Sequence, residues 1–171
     1  MIRIEPTKKQ RNQAKEYIES WMKNFGNVPD CFKADYFNRL FGLMGQIVVS
    51  DYLGIGTPEN QGPDGGTDIK WNGKTWDIKT EIRNHYFNRM TFVHNLNSKQ
   101  ISNEVEGYIF VNYNKEKGVF EICGWIEKIN FFENATHYPE GAIRKRNDGT
   151  DMIVQPGGMY ELKQKYLMEF K

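Results

Sequence analysis

The sequence predicts one mixed α/β domain, and three observations predict it. Apolar residues recur at helical spacing over residues 8–24 and 35–53, Asn72-Gly73 marks a two-residue β-hairpin, and residues 107–113 (GYIFVNY) are a nearly unbroken apolar run. A run of that kind fits a strand covered on both faces, which calls for layers on either side of a sheet.

In chain order, Thr7 followed three residues later by Gln10 is a capping-box pattern. Ala14, Tyr17, Ile18, Trp21, Met22 and Phe25 then fall on one stripe, so a first helix runs from Lys8 to Asn24. Gly26, Asn27 and Pro29 end it. Asp35 caps a second helix that runs to Leu53, with Leu40, Met44, Ile47 and Val48 on its buried stripe and Gly54 as terminator. Gly42 and Gly45 weaken this helix by propensity, and a close approach of its backbone to the sheet beneath is the expected compensation. Gln46 sits one turn after Gly42 on the same side. Residues 54–66 are Gly/Pro-rich and form a loop. After the hairpin, its second strand continues towards Glu81, residues 90–96 give a short strand, and residues 98–104 a brief helix. Residues 119–126 return the chain as a strand and residues 127–134 are helical. Pro139, Gly141, Gly149, Pro156, Gly157 and Gly158 make residues 136–158 mostly a long loop.

With 171 residues, 39% of them apolar and 14% aromatic, the chain can bury one good core. The expected organisation is a single domain over residues 1–171, with residues 1–30 as an N-terminal helical extension and 35–171 as the core. No run of about 18 apolar residues could span a bilayer. The first residues lack the apolar core of a signal peptide, so a cytoplasmic location without membrane contact is expected. Cys31 and Cys123 are far apart and lack zinc-ligand spacing, as expected of reduced, packed thiols. A net charge of +1 is low for a phosphate-binding domain. Its distribution is less even: between Ile69 and Lys99 six basic residues stand against two acids, Asp77 and Glu81.

Residues 62–80 (GPDGGTDIKWNGKTWDIKT) carry the chemistry. A type I′ turn needs positive φ at both central positions, which Asn72 and Gly73 tolerate best. Register follows: Trp71 faces Lys74, Lys70 faces Thr75, Ile69 faces Trp76 and Asp68 faces Asp77. Alternation then puts Lys79 on the Asp77 face, beside Asp68. Two opposed carboxylates destabilise a bare hairpin, and a divalent cation between them reverses that sign. This is the layout of a metal-dependent phosphodiesterase site; the plain alternative is a surface cluster without metal. Asp30 and Asp64 each follow a proline and compete for the role of first acid. Asp30 fits an interhelical turn, and Gly65-Gly66 separates Asp64 from the hairpin, so Asp68 is preferred. Glu81 is an auxiliary ligand or an exposed strand end.

These residues resemble the PD-(D/E)XK nuclease superfamily, in its small phage and prokaryotic members. Asp68 matches the first acid and Asp77-Ile78-Lys79 the acid-x-Lys triplet. Gly42 to Gly54 looks like the first helix of that family, and Gly124-Trp125 and Gly158 to Gln164 look like its later segments. The resemblance spans residue 35 to the C-terminus, with specificity concentrated in residues 62–80. It implies a restriction-endonuclease-like fold, an αβββαβ core with a central mixed sheet flanked by helices. It also implies a Mg2+-dependent DNA endonuclease whose catalytic set is Asp68, Asp77 and Lys79, assisted by Gln46. The metal would sit on Asp68, Asp77 and the Ile78 backbone carbonyl, with Mn2+ able to substitute. A homodimer that cuts both strands of DNA is expected, working in a host cytoplasm if the chain is phage-encoded. Gln46 is a departure, since the family helix often carries Glu there; an amide brings no negative charge, and a helix-surface role is the alternative. A junction- or end-specific nuclease on the same site, or a nucleic-acid-binding module without turnover, are the competing functions. Lys70, Arg83, Tyr86, Asn88, Arg89, Lys99, Arg144, Lys145 and Arg146 are the candidate DNA contacts, against ordinary core or solvated roles. His85, His94 and His137 lack triad or zinc spacing and read as structural or surface residues.

Overall fold

A computed structural model describes residues 1–24, 36–56, 67–83, 92–146 and 149–170. Two helices open the chain after a short strand, β1 (Ile2–Ile4). The helix α1 (Lys8–Asn24) carries the expected capping box: Thr7 N donates to Gln10 Oε1 at 2.8 Å and Gln10 N to Thr7 Oγ1 at 3.2 Å. The helix α2 (Tyr36–Leu53) buries Leu40, Met44, Ile47 and Val48, and Gly54 ends it with φ of 67°. Asp35, the turn residues Gly26, Asn27 and Pro29, and Asp30 and Cys31 lie outside the described residues.

The hairpin strands are β2 (Ile69–Trp71) and β3 (Lys74–Arg83). They are followed by β4 (Val93–Asn97), β5 (Gly107–Asn114), β6 (Val119–Glu127) and the helix α3 (Lys128–Asn134). The chain closes with β7 (Thr136–Tyr138), β8 (Ile143–Lys145), β9 (Asp151–Ile153) and β10 (Met159–Lys163). Five strands form the main sheet in the order β1-β6-β5-β3-β2, in which β3 and β5 run parallel and the other neighbours antiparallel. A smaller sheet has the order β4-β10-β7, and β8 pairs with β9 alone.

The main sheet is covered on both sides. Ala14, Ile18, Met44, Ile47 and Val48 of the two helices pack on Trp76, Ile78, Ile109 and Val111. On the opposite face Tyr108 and Phe110 pack with Leu96, Phe131 and Leu162 from the smaller sheet and α3. β5 therefore lies between two cores, which is why its sequence does not alternate. A parallel β3–β5 pair needs a crossover, and the connection carries β4 over the face that holds Tyr108 and Phe110.

Three expectations change. Residues 2–4 are a sheet strand, Ile2 to Ile4 pairing with Ile122 to Phe120, and α1 supplies Ala14 and Ile18 to the main core. The N-terminal segment is thus integral and not an extension; three residues are too few to show a period. Residues 136–158 contain β7, β8 and β9 instead of one long loop, because short strands between glycines leave no periodic signal. The brief helix after β4 is a 3₁₀ turn, Ser98–Gln100. No helix among the described residues is long and apolar enough to cross a membrane.

Candidate functional site

The hairpin has the register its turn dictates. Asn72 and Gly73 have φ of 51° and 75°, and Ile69, Lys70 and Trp71 pair with Trp76, Thr75 and Lys74. The ladder stops there. Asp68 N donates to Trp76 O at 2.9 Å, one residue off the regular partner, and its side chain turns onto the edge of β3 that β2 leaves open. Asp68 Oδ2 accepts from Ile78 N at 2.6 Å, standing in for the missing strand. Asp68 Oδ1 accepts from Gln46 Nε2, also at 2.6 Å. In a strand the N–H and C=O of one residue point to the same side, so the Ile78 carbonyl faces this same open edge.

Gln46 reaches the hairpin because α2 rests directly on β3. A Cβ built on Gly45 would fall 2.0 Å from Thr80 Oγ1, whereas nothing lies within 4 Å of the equivalent point on Gly42. Of the two glycines, Gly45 makes the close approach, and its neighbour Gln46 projects past the edge of the strand to Asp68.

Asp77 and Lys79 share the other face of β3. Lys79 Nζ lies 2.7 Å from Asp77 Oδ2. Asp77 is only 2% exposed, so its carboxylate has lost nearly all contact with water, and among the described residues Oδ2 has no hydrogen bond beyond that ion pair. Burial raises its pKa; the Lys79 charge and hydrogen bonds with Lys79, Asp68 and Asn103 oppose the rise. Tyr108 is the residue opposite Asp77 in the parallel register. Burial, with the Asp77 charge adding to it, pushes the Tyr108 hydroxyl up, and that hydroxyl has no hydrogen-bond partner among the described residues.

Asp68 and Gln46 at the edge of β3, and Asp77 and Lys79 on its face, therefore lie on either side of Ile78 near the middle of the strand. Chemically the group offers two carboxylates, one backbone carbonyl, one amide and one ammonium. The Asp68 carboxylate stands at the strand edge and the Asp77 carboxylate is buried beside the Lys79 ammonium; carboxylate oxygens of this kind suit a hard divalent ion. No cluster of three or more His, Cys, Asp or Glu side chains occurs among the described residues, as follows from an amide in place of a third acid. Asp64 lies outside the described residues.

The remaining candidates are scattered. Glu81 is neither a ligand nor a free strand end: its Oε1 accepts from Asn95 N at 2.8 Å and its Oε2 pairs with Arg83. Arg83 donates to Val93 O at 2.6 Å and Asn112 Oδ1 at 3.1 Å, and stacks 4.6 Å over the Phe92 ring. Arg144 is buried and ion-paired with Glu161, so only Lys145 and Arg146 of that basic triplet are exposed. Lys70 and Lys99 are also solvent-facing in part or whole: Lys70 is exposed, and the Lys99 stem runs over Gly157. His85, Tyr86, Asn88 and Arg89 lie outside the described residues. His94 is fully buried, with Nε2 2.7 Å from Gln164 Oε1, and burial lowers its pKa. His137 stacks on Tyr160 with ring centroids 4.6 Å apart. Sequence reasoning missed Tyr108, which stands opposite Asp77 through the β3–β5 register. That pairing is not local in sequence, so no motif could have marked it.

Comparison with protein-family models, with curated protein sequences and with solved structures finds no match for this chain.

Proposed function

We propose that this chain is a divalent-metal-dependent deoxyribonuclease of the restriction-endonuclease-like class. One observation carries the reading: Asp68 accepts from Ile78 N at the edge of β3, and the residues on either side of Ile78 form a buried ion pair, Lys79 Nζ lying 2.7 Å from Asp77 Oδ2. Asp68, Asp77 and the Ile78 carbonyl are the groups that would hold Mg2+ or Mn2+. Such an ion, when bound, supplies positive charge at a phosphoryl oxygen and acidifies an attacking water.

The chain's own residues do the rest. Gln46 and Ile78 N fix the orientation of the Asp68 carboxylate. Lys79 is anchored by Asp77 at the point where a scissile phosphate must approach, and its ammonium stabilises the charge that builds there or orients the attacking water. Exposed Lys70, Lys99, Lys145 and Arg146 are available for backbone phosphates. A homodimer would bring two such sites to the two strands of a duplex; sedimentation with and without DNA tests this.

The test of the activity uses plasmid, single-stranded, branched and RNA substrates with Mg2+, Mn2+ or EDTA. Cleavage in either metal and none in EDTA is expected, and the substrate preferred separates an endonuclease from a junction- or end-specific enzyme. Lys79→Ala, prepared identically, should lose about 10²–10³ in kcat while keeping DNA binding that weakens with salt. Undiminished cleavage by Lys79→Ala rules out this site. One observation favours a second reading, a binding module without turnover: the helix contributes the Gln46 amide where a third carboxylate would strengthen metal binding. Salt-dependent DNA binding by a wild type that cuts nothing in any metal establishes that alternative.

A further inference from the structure

The chain between β4 and β5 is tied to β3 on either side of the Asp77–Lys79 pair. At one end Asn95 N donates to Glu81 Oε1 at 2.8 Å, and at the other Glu106 N donates to Thr75 O at 2.9 Å. Residues 96–105 therefore travel back along β3 past the level of Lys79 and Asp77, and Ser98 and Lys99 fall inside that span. The register of the smaller sheet brings a second segment to them: β10 pairs Met159 with both Asn97 and Tyr138, and Tyr160 with His137. Ser98 Oγ and His137 Nε2 come to 3.5 Å, longer than a hydrogen bond of ordinary strength. Gly157 and Gly158, with φ of 96° and 78°, turn the chain into β10 at the same corner. A Cβ on Gly158 would fall 3.2 Å from Ser98 Oγ and 3.4 Å from His137 Nε2, and one on Gly157 would fall 2.8 Å from Lys99 Cε. Glycine at both positions leaves room for the three polar side chains. Ser98 N donates to Gly158 O at 3.1 Å and Gly157 N to Glu140 Oε2 at 2.9 Å, which holds the corner in place.

We propose that Ser98, Lys99 and His137 form a subsite for a second backbone phosphate of the nucleic-acid strand, apart from the phosphate that meets Lys79. The inference rests on the nuclease reading above. A hydroxyl, an ammonium and an imidazole edge are donors, and a phosphodiester presents charged acceptor oxygens. One face of the His137 ring is taken by Tyr160, with centroids 4.6 Å apart, and its Nε2 edge stands beside Ser98. That edge suits a phosphate oxygen better than a stacked base. Lys99 and His137 are exposed and Ser98 is half-buried, so a strand can reach all three. Contacts of this kind fix position without reading sequence. The substrate class that follows is a polynucleotide strand, held at a phosphate other than the one being cut, and not a mononucleotide.

The experiment is binding of labelled duplex and single-stranded oligonucleotides by the full chain in EDTA over a series of salt concentrations, together with Mn2+-supported cleavage. Lys99→Met should weaken binding of every sequence alike and reduce the slope of log affinity against log salt by about 1. Ser98→Ala and His137→Phe, which keeps a ring on Tyr160, should each weaken binding about 2–10-fold with the slope nearly unchanged. In cleavage, all three should raise KM and leave kcat as it is, because they hold ground state and transition state equally. A single neutral methylphosphonate moved along the strand should find one position, away from the cleaved bond, at which wild type loses affinity and Lys99→Met does not. A wild type that binds DNA beside three variants with its affinity and salt slope overturns the inference and leaves the nuclease reading standing. A wild type that binds DNA through these residues and cuts nothing in any metal removes turnover and keeps the subsite. A wild type that binds no nucleic acid removes both.

Discussion

β3 carries two acid–base pairs on one face, Asp77 with Lys79 and Glu81 with Arg83, and the two pairs are put to opposite uses. Glu81 and Arg83 act as a substitute strand for the edge of β4: one accepts from Asn95 N, the other donates to Val93 O, and Arg83 also closes on Asn112 and Phe92. Their hydrogen-bonding capacity is consumed in clamping the smaller sheet to the main one. Asp77 is more deeply buried than either and yet has an oxygen with no hydrogen bond beyond its ion pair among the described residues. An alternating charge pattern cannot tell these ends apart. Accounting for partners can, because a buried charge left incompletely satisfied costs folding energy and is retained where that cost is offset by something else.

The widest separation between the two ends should appear when one residue is removed from each. Asp77→Asn should abolish detectable cleavage, a loss of about 10²-fold or more in kcat, in a protein that still unfolds cooperatively. Arg83→Ala should do the reverse, destabilising the fold by about 2–3 kcal/mol through its lost charged hydrogen bonds while the folded fraction keeps its specific activity. Urea unfolding and cleavage rates measured on the same preparations check both. A stable, inactive Arg83→Ala would place Arg83 in the chemistry and erase the contrast.

Asp77 should also mark itself through pH. Its pKa in the folded chain is raised above the ordinary 3.8, so folding favours its neutral form. That stabilisation is present below 3.8 and is lost as pH rises through the folded value, when burial penalises the charge. Asp77→Asn should therefore gain stability relative to wild type between pH 3.5 and 7, as measured by urea unfolding at both values. A constant difference across that range would mean that Lys79 fully offsets the burial.

Gln46→Glu sharpens the comparison at the site end. The amide nitrogen lies 2.6 Å from Asp68 Oδ1, so a carboxylate there opposes a carboxylate. In EDTA the variant should melt a few degrees lower, for about 1–2 kcal/mol of repulsion. Added Mg2+ or Mn2+ should restore Tm, and half-maximal cleavage should need less metal than in wild type. A melting temperature insensitive to both substitution and metal would return Gln46 to a surface role.

The smallest effects test how α2 is seated. Gly45→Ala meets Thr80 Oγ1 and should cost about 1–3 kcal/mol, relieved in part by Thr80→Ala. Gly42→Ala enters open space and should stabilise by up to about 1 kcal/mol.

The sequence by itself determined the local features: the Thr7/Gln10 cap, both long helices, the Asn72-Gly73 turn and, from that turn, the hairpin register. These follow from neighbours within a few residues, where backbone sterics and the hydrophobic period leave little choice. It also singled out Asp68, Asp77, Lys79 and Gln46, though it could not tell which of Gly42 and Gly45 makes the helix–sheet contact, since propensity is the same for both. What only the tertiary structure decided is which charges stay available. Glu81, Arg83 and Arg144 are absorbed by β4 and by Glu161, and Tyr108 is brought opposite Asp77 by a parallel strand pairing. The physical reason is that a hydrogen bond or an ion pair is settled by proximity across the fold, and proximity between β3 and residues 93–112 is set by packing two sheets and three helices together, not by any spacing along the chain.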